Sequence, residues 1–62
     1  MNRYERLKAL YIEFINEYDP FTEIEEQSES EMLYNLKQIE KDIADDTQLL
    51  GHLQKVIAEF KK

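Results

Sequence analysis

The chain has no cysteine, one glycine, one proline and one histidine in 62 residues, and each scarcity excludes something. Without cysteine there is no disulfide framework and no thiolate metal site. One Gly and one Pro supply too few turns for an all-β fold. A single His leaves zinc no familiar ligand spacing. No apolar run approaches the roughly 18 residues of a membrane span. The opening MNRYERLKAL sets charges among its apolar residues, unlike the apolar stretch of a signal peptide. From these absences we expect a cytoplasmic protein without cofactor, metal or membrane partner.

Small size limits the fold further. A chain of 62 residues makes one domain, here taken as 1–62. Below about 70–80 residues a single core rarely supplies more than 3–5 kcal/mol. Oligomerisation is one way to bury more apolar surface, so a homodimer is expected.

Charged residues make up 35% of the chain and hydrophobic ones 42%, with a net charge of -6. The charge is uneven. Residues 1–18 balance, residues 19–46 hold ten acids against Lys37 and Lys41, and residues 47–62 are slightly basic. Such a middle repels polyanions, and no aromatic–basic platform is present, so nucleic-acid binding is not expected.

Periodicity assigns the apolar residues to helices. Tyr4, Leu7, Tyr11, Phe14 and Tyr18 recur at spacings of three and four, predicting an amphipathic helix over about 3–18. Asn2 with Glu5 three residues later resembles a capping box, and Pro20 ends the helix by disfavouring helical geometry at Asp19. Residues 19–29 read as an acidic connector. Asp19-Pro20 can open one or two helical turns there, with Phe21 and Ile24 pointing one way. Ser28 with Glu31 gives a second capping box.

Met32, Leu36, Ile39, Ile43, Leu50, Leu53, Ile57 and Phe60 follow the a and d positions of a coiled-coil heptad, with Asp46 the one interruption. Because the phase survives from Ile43 to Leu50, a continuous second helix over about 30–61 is the leading expectation. The fold class is then all-α: a hairpin of a short and a long helix, dimerising into a helical bundle. The alternative is a monomeric three-helix bundle with a break near Asp45–Thr47, capped by Asp46.

The segment ERLKALYIEF (Glu5–Phe14) ahead of a second helix resembles the small helical-hairpin aspartyl-phosphate phosphatases that regulate sporulation. Those carry a Ser-Gln-x-x-Asp signature on the second helix. This chain has Ser30-Glu31-Met32-Leu33-Tyr34 there, without the Gln or the Asp, so the resemblance implies hairpin patterning and no phosphatase activity.

No catalytic set emerges. His52 reads as a partly exposed helix residue, and the acids lack the spacing and central Gly of a calcium loop. Tyr4, Tyr11, Phe14 and Tyr18 suit a helix–helix seam. The expected function is therefore a non-catalytic protein–protein interaction or regulatory module. A long helix would leave Leu50, Leu53, Ile57 and Phe60 for a partner. The alternative is an acidic inhibitor that covers a basic or nucleic-acid-binding surface of another protein through Glu23, Glu25, Glu26, Glu29 and Glu31.

Overall fold

Helix α1 (Arg3–Tyr18) begins at Asn2, whose side chain accepts the Glu5 N–H at 2.8 Å. It buries Leu7, Tyr11, Phe14 and Ile15 and ends where Asp19 turns extended ahead of Pro20. Helix α2 (Glu29–Asp42) opens with both halves of the Ser28–Glu31 capping box in place. Helix α3 (Thr47–Phe60) starts at Asp46, whose carboxylate accepts the Leu49 N–H at 3.1 Å. The computed structural model describes residues 2–62, and these three helices of similar length are its secondary structure.

The long second helix is thus corrected to two helices joined by a turn over Ile43–Asp46. Ile43 still donates its N–H to Ile39, but the Asp46 N–H returns to the Ile43 carbonyl and Asp46 adopts extended geometry. A 32-residue helix would be about 48 Å long, whereas the molecule's longest extent is 33 Å. Its radius of gyration of 10.9 Å is near the roughly 10.6 Å of a compact domain this size. The heptad phase misled because Ile43 and Leu50 approach one core from two successive helices. Asp46, which seemed to interrupt a seam, is a cap.

Contacts along the helices fix the topology. Arg3 reaches Glu29, and Asn35 reaches Tyr11, so α1 and α2 run parallel. Arg3 also reaches the carbonyls of Phe60 and Lys62, Arg6 pairs with Glu59, and Glu17 with His52, so α3 runs antiparallel to α1. Parallel neighbours oblige residues 19–28 to travel back along the full length of α1, about 24 Å. As a helix, ten residues would cover about 15 Å, which is too short. Extended, they cover about 33 Å. The helical turns expected after Pro20 are accordingly replaced by a single turn at Pro20–Phe21 followed by an irregular strap. Ile24 packs toward the core from the strap while Phe21 stands in solvent, rather than both pointing one way.

The core lies between the three helices. Leu7, Phe14, Met32, Leu36 and Leu53 are fully buried, with Tyr11, Ile15, Ile43, Val56, Ile57 and Phe60 around them. No polar or charged residue is buried among the described residues.

Replacing Asp46 by Ala separates the two architectures. Loss of the α3 cap should destabilise the protein by about 1 kcal/mol, whereas in a continuous helix the same change would stabilise it. Gly51 lies inside α3 with nothing within 4 Å of an added Cβ. Gly51→Ala should therefore raise stability by about 1 kcal/mol. Thermal or urea unfolding of both variants checks the pair.

Candidate interaction surface

The structure distributes the expected site residues between core and surface. Leu53, Ile57 and Phe60 are buried in the core of a single chain, and Leu50 packs half-buried at its edge. The stripe expected to face a partner is thus covered by α1 and α2, because the break at Asp46 folds α3 back onto them.

The acidic set is divided in the same way. Glu26 pairs with Lys8 at 2.9 Å, Glu29 pairs with Arg3 at 3.1 Å, and Glu31 closes its capping box. Glu23 and Glu25 are exposed and make no ion pair among the described residues. Further acids gather where α1 and α2 end. Asp19 is the C-cap of α1, Asp42 is the last residue of α2, and Asp45 follows in the turn. The helix dipole disfavours negative charge at both of these ends, so the tip is more acidic than helix stability alone would select.

His52 sits between α3 and α1. Its Nδ1 lies 2.8 Å from Glu17, and its ring meets Phe14 edge-on at 5.3 Å. The contact is an interhelical tie. Among the described residues, no group of three or more His, Cys, Asp or Glu is clustered to hold a metal ion. The tyrosines fill the seam and its edge: Tyr11 is buried, Tyr18 stacks on Phe14 at 6.2 Å, and Tyr4 anchors the strap.

No protein-family model, curated protein or solved structure matches this chain. Its surface must be read on its own terms.

Sequence reasoning missed the most conspicuous surface residue. Phe21 is 92% exposed. Asp19 fixes the turn that presents it, accepting the Phe21 N–H on Oδ1 and the Thr22 N–H on its carbonyl oxygen, each at 3.1 Å. Pro20 locks φ between them. One signal was available: Phe21 falls outside both apolar stripes and directly follows Asp-Pro, a turn opener.

The strap is tied down by a small polar knot. The Tyr4 hydroxyl lies 2.8 Å from Glu26 Oε1 and 2.6 Å from the Gln27 carbonyl oxygen, and can donate its single proton to either. Asn35 donates to the Gln27 side chain at 3.2 Å. Hydrogen bonds from Lys8 and then Tyr4 hold the Glu26 carboxyl below its usual range. Its acceptance of the Tyr4 proton pushes that phenol above its ordinary value.

The two shifts bound a pH window. The Glu26 contribution is present above the ordinary carboxylate range and is lost as pH falls through its lowered folded value. The Tyr4 contribution is present at neutral pH and is lost as pH rises through its raised folded value. Resonances of Tyr4 and Gln27 should move at both limits, and Glu26→Gln should abolish the acid-side change.

Proposed function

We propose that this protein is a small non-catalytic module that works by protein–protein association, with the tip around Phe21 as its contact. The observation behind this reading is Phe21, 92% exposed on a turn held by two hydrogen bonds. Fully burying a phenylalanine is worth roughly 1.5–3 kcal/mol. The turn already holds the backbone, so binding need order only the side chain. Isolated surface apolar residues are ordinary; Phe21 differs in standing almost wholly in solvent on a turn held by hydrogen bonds.

The acids around this anchor shape the partner. Asp19, Glu23 and Glu25 flank Phe21 in the chain and are exposed. A matching surface is an apolar pocket with basic groups at its rim. Helix-on-helix association through Leu53, Ile57 and Phe60 has no part in this reading, since those side chains form the core.

A second reading keeps the acidic inhibitor. Its support is Asp19 and Asp42 at the C-termini of α1 and α2, where they oppose the dipole. In that case charge rather than Phe21 would carry the contact, over a basic or nucleic-acid-binding surface.

Capture of partners from the native cell by wild type and by Phe21→Ala, each at low and high salt, tests the two readings. Under the first, Phe21→Ala loses the captured protein while wild type retains it at high salt. Under the second, high salt releases it and Phe21→Ala captures as well as wild type. Phe21 is solvent-exposed, so circular dichroism should show both proteins equally folded.

A further inference from the structure

The reading above calls for an apolar pocket with basic groups at its rim, and this molecule carries one. Between α1 and α3 runs a groove of about 440 Å³ with Leu10, Val56 and Ala58 in its lining and Lys55 and Lys62 beside them. Lys55 is exposed and makes no ion pair among the described residues. Glu59 also lines the groove, but Lys62 at 2.7 Å and Arg6 at 2.7 Å both neutralise it. His52 completes the lining, so the groove has a small apolar floor within a border of net positive charge. Two other grooves have the opposite sign: one beside the strap includes Glu23, and one beside Tyr34 includes Glu31. Either would repel an anchor flanked by acids.

We propose that the α1/α3 groove receives Phe21 of a second copy of this chain, with the acidic flank of that Phe21 set against Lys55 and Lys62. The inference rests on Phe21 being a protein-contact anchor and names its occupant. A molecule cannot serve itself, because Phe21 is 92% exposed in the single chain. The net charge of -6 opposes association, yet charges farther apart than about 8 Å are largely screened at physiological salt. Acid–lysine contacts at the groove lie within that distance, so they act unscreened where the more distant repulsion does not. The contact is asymmetric in its parts, anchor on one copy and groove on the other. Two copies related by a two-fold axis satisfy it twice; otherwise it propagates head to tail.

Sedimentation equilibrium over a concentration series tests this on the full chain. Wild type should rise in average mass above 7.5 kDa as concentration increases, and Phe21→Ala should weaken that association about tenfold or more. The double reversal Glu23→Lys with Glu25→Lys should also weaken it, as should Lys55→Glu, and mixing the two variants should restore association. The double reversal lowers the net negative charge, so if bulk repulsion governed the equilibrium it would strengthen association instead. That result would overturn the proposal. So would a mixture no tighter than its components, Phe21→Ala associating like wild type, or wild type staying monomeric at every concentration. If wild type is monomeric but Phe21→Ala alone fails in the native-cell capture, the self-contact falls and the interaction reading stands. If neither mass nor capture depends on Phe21, both fall.

Discussion

The parallel placement of α1 and α2 is the constraint from which much of this molecule follows. Both helices start at the same end, so the chain must return about 24 Å between them. Only an extended segment covers that distance in ten residues. Along that return Ile24 turns inward to the core, while Phe21 stands outside on the turn that begins it. Extension also leaves backbone groups without helical partners, and Tyr4 and Asn35 hold the returning segment by its Gln27 carbonyl and side chain. The exposed anchor and the polar knot are two consequences of one span.

The core, eleven buried residues among those described, has little margin at this size, and the structure limits its polar costs to the surface. No polar or charged residue is buried among the described residues, and the Arg3–Glu29 and Arg6–Glu59 pairs between helices are solvent-accessible. Exposed pairs are individually worth little. Arg3 does more than pair with Glu29. Its guanidinium donates to the carbonyls of Phe60 and Lys62, at the end of α3, which has no basic residue in its own last turn. Carbonyls at a helix C-terminus lack partners within the helix, and here the first turn of α1 supplies one. That contact joins the start of α1 to the end of α3.

Much of this was legible in the residues. The bounds of α1 and the Asn2 and Ser28 caps follow from spacing alone, because each depends on neighbours three or four positions apart, whereas Leu53, Ile57 and Phe60, assigned from their phase to a partner, belong to the core. The break at Asp46 was legible only as an alternative. The cap it provides is worth about 1 kcal/mol, and an uninterrupted heptad phase pointed the other way. Phase is a property of one helix, however, and two helices packed on a common core can preserve it without being continuous. The strap was not legible, since its conformation is set by the distance between helix ends and not by its own propensities. Phe21 was missed for a related reason: it sits on the turn that starts the return, whose geometry the apolar spacing does not encode.

The break also changes what kind of association is open to the chain. A continuous helix would have left a long apolar stripe uncovered, enough to demand a permanent partner. Folding α3 back places Leu53, Ile57 and Phe60 inside and leaves a single aromatic at the tip and shallow grooves along the sides. A lone phenylalanine contributes roughly 1.5–3 kcal/mol, while association itself costs several kcal/mol in lost freedom. Contacts made this way are weak unless repeated by symmetry or reinforced by charge. The sign of the charge is then decisive, because with so little apolar area the acids beside Phe21 determine which pockets the anchor can enter.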